Sequence, residues 1–283
     1  MDLSTVTQII AARQRSDLSG LGPTVVPLAG GSELFGDPRA HLTGLVDLQT
    51  FGWPSLTVTD DGLDIGATCT LAELSRLPTR EGWAAHPLFY QCCTALFGSF
   101  KVWNVATVGG NLATSLPAGP MTTLAVALDA VLLVWHADGT DELVPARSFV
   151  TGNKTNLLAV SDVLRSIHVP LASLQAQTAY RKIALSTLGR SGAVLVGRLD
   201  ADDTDRDAAG SFVLTVTAAT LRPVQLRYPA LPTAEVLADD IAAIDCWFTD
   251  AHGAADWRRA MSLLLGEEIR AELAPAGGRS CTK

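Results

Sequence analysis

Two short glycine-containing segments constrain this chain more than any other feature of its sequence. They are residues 29–32 (AGGS) and residues 107–111 (TVGGN), and each follows a short apolar run. Adjacent glycines let backbone N–H groups approach a negatively charged group closely, because no Cβ stands in the way. The two segments therefore predict a phosphate-bearing ligand held from two sides, for which a dinucleotide is the natural candidate.

A simpler interpretation applies to each segment taken alone. A Gly-Gly pair after a strand is also the ordinary sequence of a tight turn with positive φ and no ligand. Neither segment fits the P-loop pattern GxxxxGK[ST] or the Rossmann pattern GxGxxG that opens a helix. Both common nucleotide-binding folds are therefore disfavoured.

Length and charge exclude several classes of function. The 283 residues suffice for a sizeable core divided among one to three subdomains. A net charge of −8 argues against a nucleic-acid-binding protein, which would carry a basic stripe. No apolar run is long enough for a membrane span, and the first residues lack the pattern of a secretory signal. We therefore expect a cytoplasmic protein with no nucleic-acid partner and no membrane insertion.

The cysteines and histidines do not predict a metal site. Cys69, Cys92, Cys93, Cys246 and Cys281 form no Cys-x-x-Cys pair, and an odd, scattered set is typical of a reducing compartment. Iron–sulfur spacing is missing, so any cluster that exchanges electrons with this protein belongs to another chain. The vicinal pair lies in an apolar stretch, which favours buried, inert thiols. The five histidines are dispersed and show no metal-ligand spacing.

The pattern of apolar residues predicts an α+β fold rather than a regular βαβ array. Helices are predicted over residues 5–15, 86–98, 121–128, 233–244 and 254–273, with a further helix that starts at a Thr70–Glu73 capping box. Strands are predicted at 24–28, 44–48, 56–58, 63–65, 131–135, 162–168, 179–185 and 212–217. Asp138-Gly139 is a hairpin turn signal, and the acidic segment 200–207 is typical of a solvated loop.

Several motifs in a fixed order carry a family resemblance. They are LAGGSEL (28–34), VDL (46–48), DIGATCTLAEL (64–74) and ATVGGNLA (106–113), followed by SDVLRSIHVP (161–170) and DAHGAADWRR (250–259). Together they resemble the flavin-binding medium subunit of the molybdenum hydroxylases, the family of carbon monoxide dehydrogenases and xanthine dehydrogenases. The likeness extends over nearly the whole chain.

The resemblance implies a fold, a cofactor and partners. It implies a two-subdomain FAD-binding fold of the PCMH/vanillyl-alcohol-oxidase type, with subdomains at residues 1–56 and 57–170. A small C-terminal domain of sheet and helices follows at residues 171–283. The implied cofactor is noncovalent FAD, and the implied partners are a molybdopterin-containing large subunit and a 2Fe–2S small subunit.

The resemblance also implies the cofactor-binding residues. It places the first phosphate loop at Pro27, Leu28, Ala29, Gly30, Gly31, Ser32, Glu33 and Leu34, and the second at Thr107, Val108, Gly109, Gly110 and Asn111. The glycines are expected where a side chain would collide with the ligand. Thr114 is a candidate to replace the hydrogen bond of the aspartate for which this chain has Pro120. Phe97 matches a phenylalanine against the flavin, Leu164 a leucine on the adenine, and Lys182 a lysine near the flavin. Phe97 as an ordinary core residue and Lys182 as a surface residue stay open. No catalytic residue is implied, because the cofactor carries the chemistry.

Three departures from the family pattern leave the function open to alternatives. Trp103 stands where an arginine is common, Pro120 stands where an aspartate binds the cofactor, and the residues around Arg190 lack an expected aromatic side chain. The leading hypothesis is a flavin subunit that takes electrons from iron–sulfur centres and passes them to an acceptor. The alternatives are a stand-alone FAD-dependent oxidoreductase acting on a small metabolite, and a scaffold subunit that has lost FAD.

Overall fold

The computed structural model describes residues 3–201 and 210–275, which form a mixture of short strands and helices. The strands are β1 Gln8–Ala11, β2 Val25–Leu28, β3 Gly44–Asp47, β4 Leu56–Thr59, β5 Gly62–Gly66, β6 Val131–Trp135, β7 Asp141–Pro145, β8 Val150–Gly152, β9 Thr155–Asn156, β10 Val163–Pro170, β11 Gln177–Ile183, β12 Ala193–Leu199, β13 Phe212–Thr217 and β14 Val224–Tyr228. The helices are α1 Leu71–Leu74, α2 Pro87–Ala95, α3 Phe100–Trp103, α4 Val108–Thr114, α5 Pro120–Ala127, α6 Ala146–Phe149, α7 Leu171–Gln175, α8 Ala234–Ala242 and α9 Ala255–Leu273. The predicted α+β class is confirmed.

An N-terminal parallel sheet carries the first glycine segment. Its strand order is β1-β3-β2, and β3 pairs in parallel with both neighbours. The segment starts directly after β2 and therefore lies at the carboxyl end of the sheet. The predicted strands at 24–28 and 44–48 are confirmed to within one residue.

The predicted helix at residues 5–15 is wrong. This stretch forms β1, followed by a 3₁₀ turn over Arg15–Gly20. The adjacent β-branched residues Ile9 and Ile10 favour a strand, and pairing with β3 satisfies their backbone groups. The Asp17 carboxylate accepts hydrogen bonds from the N–H groups of Arg13 (2.8 Å) and Gln14 (3.0 Å), which fixes a turn instead of a continuing helix.

A central antiparallel sheet holds the largest core. Its order is β4-β5-β10-β6-β7, and the predicted Asp138-Gly139 turn joins β6 to β7. Helices α2 and α5 pack together, α5 also contacts β12 and β13, and every residue of α5 is buried. A helix without charged residues that is buried on all sides belongs inside a core. Leu88, Phe89 and Met121 are among its fully buried side chains.

A C-terminal meander completes the described fold. Strands β11, β12, β13 and β14 pair in sequence order, all antiparallel, and α9 packs on β11 and β12. The predicted strand at 212–217 and the predicted helices at 233–244 and 254–273 are confirmed to within about two residues. Most of the acidic segment 200–207 lies outside the described residues.

Two of the buried clusters contain residues from both sides of a predicted domain boundary. Leu174 and Val196, which follow residue 170 in the sequence, pack in the central core, and Val163 packs with the N-terminal sheet. The boundaries at 56/57 and 170/171 therefore stay predictions. Within the described residues, no helix is both long and apolar enough to traverse a bilayer.

Candidate cofactor site

The two glycine segments meet across one cavity of about 620 Å³, here called the cofactor cavity. The predicted site residues on its wall are Pro27, Ala29, Gly30, Gly31, Ser32, Glu33, Leu34, Phe97, Thr107, Gly109, Gly110, Asn111, Thr114 and Leu164. Leu28, Val108 and Lys182 do not line it. Leu28 ends β2, Val108 is buried in the central core, and Lys182 lies in β11, where burial lowers the pKa of its amine.

The first glycine segment presents a run of free backbone donors. Gly31 has φ of 69°, and the turn is closed by Phe35 N–H donating to the Gly31 carbonyl at 2.9 Å. The N–H groups of residues 30–34 donate no hydrogen bond to any described residue. Successive free N–H groups around a left-handed residue form a concave anion-binding nest.

The second glycine segment offers no such donors, so the prediction that both segments supply N–H groups is wrong. It forms the first turn of α4 with Thr107 as N-cap. Val108 N–H donates to the Cys69 carbonyl at 2.8 Å, Gly109 N–H to the Ala67 carbonyl at 2.9 Å, and Gly110 N–H to Thr107 Oγ1 at 3.1 Å. These bonds dock the segment onto the chain before α1, which leaves side-chain groups to face the cavity.

The fold itself requires glycine at two of the predicted positions. A Cβ on Gly30 would lie 1.5 Å from the Val105 carbonyl oxygen, and one on Gly109 would lie 2.5 Å from the Ala67 Cβ. Protein packing alone therefore excludes side chains at both positions, and the expected collision with a ligand stays a prediction. At Gly110 the nearest group is the Thr107 hydroxyl at 2.8 Å, with the next contact at 3.9 Å. Gly110 is helical and has no positive φ.

Asn111 lines the cavity and contacts the residue after Pro120, the position at which the family has an aspartate. Its Oδ1 accepts the Met121 N–H at 3.0 Å at the start of α5, and its Nδ2 has no partner among the described residues. Pro120 is the first residue of α5, is buried, and does not line the cavity. Trp103, at the end of α3, does not line it either, whereas Arg190 does.

Apolar side chains form another part of the cavity wall. Phe97 is 66% exposed, so the alternative that it is an ordinary core residue is wrong. Leu164 is buried in β10 and lines the cavity together with Leu96, Leu116 and Leu158. An exposed aromatic ring beside leucines suits a flat, partly apolar ligand.

Of the charged residues on the wall, the sequence predicted Glu33 but not Arg39, Lys154, Asp162 and Arg190. Glu33 pairs with Lys154 at 3.6 Å, and Asp162 pairs with His136 at 3.1 Å, so both carboxylates are compensated. Arg39 and Arg190 make no ion pair with any described residue, and Arg39 Nε is buried without a hydrogen-bond partner. The cavity is therefore suited to an anion. Arg39 lies only seven residues after Ser32, so a longer window around the first glycine segment would have included it. Lys154 and Arg190 come from loops that are distant in the sequence.

The remaining wall residues missed from sequence are small or apolar. They are Leu48, Ala67, Thr68, Val102, Ala106, Ala113 and Val163. Most flank the predicted motifs directly, so a wider window around each motif would have found them.

Three of the cysteines are buried and inert, as predicted for the vicinal pair. Cys69, Cys92 and Cys93 are fully buried. Burial raises the pKa of the Cys69 and Cys93 thiols to about 12 and that of Cys92 well above its usual value. Thiolates are the reactive form, so these side chains serve as small apolar core residues. Cys281 lies outside the described residues.

Residues 3–172 match the sequence model of the family described as the FAD binding domain in molybdopterin dehydrogenase. The chain belongs to this family. The match spans more than half of the chain and includes both glycine segments. FAD is the family's cofactor, as predicted, and the predicted resemblance is confirmed.

Individual relatives agree with the family. The chain is 27% identical over 124 residues to xanthine dehydrogenase 1 of Arabidopsis thaliana and 26% identical over 119 residues to xanthine dehydrogenase/oxidase of Gallus gallus. These matches cover 41% and 40% of this chain, and only 9% of the length of each relative.

Solved structures show the same fold over almost the whole chain. CO dehydrogenase from Oligotropha carboxidovorans superposes with a TM-score of 0.80 at 22% identity, covering 96% of this chain and 99% of that one. Quinoline 2-oxidoreductase from Pseudomonas putida 86 gives 0.78 at 17% identity, covering 96% and 98%.

Proposed function

We propose that this chain is the flavin subunit of a molybdenum hydroxylase, which receives electrons from iron–sulfur centres and passes them to an acceptor. A molybdopterin-containing large subunit and a 2Fe–2S small subunit would be its partners. The observation that carries the proposal is the run of five free backbone N–H groups at residues 30–34, which lines the same cavity as Gly110. These residues lie within the part of the chain that matches the FAD-binding family.

The donors around the cavity fit the diphosphate of FAD. The N–H groups of residues 30–34 provide an anion nest, and the Ser32 and Thr107 hydroxyls add donors at its two sides. The unpaired guanidinium of Arg39 supplies a positive charge that the sequence did not predict. A hydrogen bond between charged groups is about twice as strong as a neutral one, so Arg39 would be a principal contact.

The apolar residues fit the rings of the cofactor. Phe97 offers an aromatic surface, and Leu164 and Leu158 offer a dry wall on β10 and the loop before it. FAD, when bound, supplies the electron-transfer chemistry. The chain itself binds it, orients it and keeps water from its apolar faces.

A titration tests cofactor binding. Apo-protein titrated with FAD should bind one equivalent, with quenching of flavin fluorescence. Arg39→Gln should weaken binding about tenfold to a hundredfold, since a hydrogen bond to a charged group contributes about 1.5–3 kcal/mol. Arg80→Gln is the matched control, because Arg80 is exposed and stacks on Trp83, away from the cavity. Equal FAD dissociation constants for the two variants would show that Arg39 does not contact FAD.

Co-purification tests the role in a complex. The chain, co-expressed with a molybdopterin-containing chain and a 2Fe–2S chain, should elute with both and contain FAD. A colourless protein that takes up no FAD would favour the scaffold alternative. Turnover of an organic metabolite by the isolated flavinated chain would favour the stand-alone enzyme.

A further inference from the structure

We infer that a second, smaller cavity beside the cofactor cavity binds an oxyanion, namely a phosphate or carboxylate group. This second cavity has a volume of about 180 Å³. Its polar and charged lining residues are Asn153, Lys154, Arg190, Ser191, Asp250 and Arg258. Leu116, Lys154 and Arg190 line both cavities, so the two adjoin along these residues.

Ser191 is the decisive residue. It is only 1% exposed, and its hydroxyl has no hydrogen-bond partner among the described residues. A buried hydroxyl without a partner costs free energy, so native proteins rarely keep one unless a ligand or water satisfies it. Because Ser191 lines the second cavity and not the cofactor cavity, its missing partner belongs in the second cavity.

The charge of the second cavity selects the kind of partner. Arg190 is half-buried, and its guanidinium has no ion pair or hydrogen bond to any described residue. Lys154, on the rim, is only loosely paired with Glu33, at 3.6 Å. Arg190 therefore leaves an uncompensated positive charge beside the Ser191 hydroxyl.

The carboxylate in the second cavity does not cancel this charge. Asp250 Oδ1 pairs with the buried guanidinium of Arg258, which also donates to the carbonyl oxygens of Ala218 and Gly253. Asp250 also accepts the His252 N–H at 2.8 Å. With Asp250 compensated, the Ser191 hydroxyl, the Asn153 amide and the Arg190 guanidinium form a set of donors that suits an oxyanion.

The oxyanion can come from two sources, a free ion or the acidic group of an organic molecule. Arg190 lines both cavities, so an organic molecule held there by its acidic group would extend toward the cofactor. Only this second source rests on the proposed function. The oxyanion site itself rests on the donors of Ser191, Asn153 and Arg190 and not on the proposed function.

Calorimetric titration of the FAD-loaded protein with inorganic phosphate tests the site, because FAD then fills the other anion-binding cavity. We expect saturable binding that Ser191→Ala and Arg190→Gln each weaken about tenfold. Ser186→Ala, an exposed position in the same loop, should bind phosphate like the wild type. Absence of saturable binding, or equal affinity in all four proteins, would overturn the inference.

Two further measurements separate the possible causes of a result. The Ser191→Ala protein should keep the thermal midpoint of the wild type, because its hydroxyl makes no bond to lose; a collapsed midpoint would show a structural role instead. Phenyl phosphate tests whether the oxyanion belongs to a free ion or to an organic molecule, and it should displace inorganic phosphate from the site. A change in flavin absorbance on binding would indicate that the site takes an organic ligand. An unchanged spectrum would indicate that it takes a free ion. If the chain holds no FAD, the proposed function fails, but loss of phosphate binding in apo Ser191→Ala still supports the site.

Discussion

Substitutions at single residues of the cofactor cavity wall can distinguish effects on protein stability from effects on FAD binding. A Cβ on Gly30 would collide with the Val105 backbone carbonyl, whereas a Cβ on Gly110 would press only on the Thr107 hydroxyl at 2.8 Å, with the next contact at 3.9 Å. We predict that Gly110→Ala weakens FAD binding about tenfold, since overpacking costs about 1–3 kcal/mol, while the apo-protein keeps its thermal midpoint within a few degrees. Gly30→Ala should lower the midpoint of the apo-protein itself. Fluorescence titration and thermal unfolding of both variants measure this, and identical behaviour would show that Gly110 does not face the ligand.

His136 makes stability depend on pH. Burial alone would lower its pKa, but hydrogen bonds and charges from Asp162 (3.1 Å) and Glu142 (3.0 Å) outweigh burial and raise it. Because the folded pKa lies above the unfolded value of about 6.5, the stabilisation is complete below that value and is lost as pH rises through the folded pKa. We predict that His136→Asn destabilises the protein at pH 5.5 and much less at pH 9, as measured by urea unfolding. An equal loss at both pH values would exclude the ion pair as its cause.

At the scale of elements, the capping box of α1 supports the second glycine segment. Glu73 accepts hydrogen bonds from the Thr70 N–H (2.8 Å), the Thr70 hydroxyl (2.7 Å) and the Ser55 hydroxyl (2.9 Å). Residues 67–70 in turn accept the N–H groups of Val108 and Gly109. The loss of this cap should therefore affect both α1 and the docking of α4.

Glu73 carries a pH signature of opposite sign to that of His136. Burial tends to raise its pKa, but the hydrogen bonds from Thr70 and Ser55 lower it below the usual value. The stabilisation is therefore present above the unfolded pKa of about 4.3 and is lost as pH falls through the folded pKa. We predict that Glu73→Gln is less stable than the wild type at pH 7 and that the difference shrinks by pH 3. Thr70→Ala should cost about 1 kcal/mol, with Thr70→Ser restoring most of it. A constant difference from pH 7 to pH 3 in urea unfolding would contradict the assignment.

The elements that were predicted correctly are those whose signal is local. The Thr70 capping box, the Asp138-Gly139 hairpin and the β13 strand depend on neighbouring residues, and all three form as predicted. Residues 8–11 became a strand because β3 pairs with them from more than thirty residues away. The N–H groups of Val108 and Gly109 are taken by the Cys69 and Ala67 carbonyls, which lie far away in the sequence. No local pattern contains that information.

At the scale of the whole molecule, the cofactor site required three-dimensional contacts more than motifs. The sequence placed both glycine segments, and family resemblance added Phe97 and Leu164, all of which line the cavity. Arg39 and Arg190 were missed because their significance is that they lack partners, and partners are visible only in the fold. Lys182 was predicted from the family resemblance alone; it lies in β11 and does not line the cavity.

A buried arginine joins the central core to the C-terminal meander. Arg198 on β12 donates to the Ala127 carbonyl at the end of α5 (2.7 Å) and pairs with Asp129 and Asp200. Its side chain is 4% exposed, whereas Arg227, which also pairs with Asp129, is 43% exposed. Removing one partner of a buried pair leaves an uncompensated charge, while exposed pairs contribute little.

We therefore predict that Arg198→Met lowers the free energy of unfolding by about 3–5 kcal/mol, whereas Arg227→Met lowers it by less than about 1 kcal/mol. Urea unfolding of the two variants gives these values. Hydrogen exchange should show lost protection in both α5 and β12 for Arg198→Met, because the residue connects the two elements. Loss of protection in β12 alone would mean that Arg198 stabilises only its own sheet, and similar losses of stability in the two variants would mean that burial does not govern the strength of these pairs.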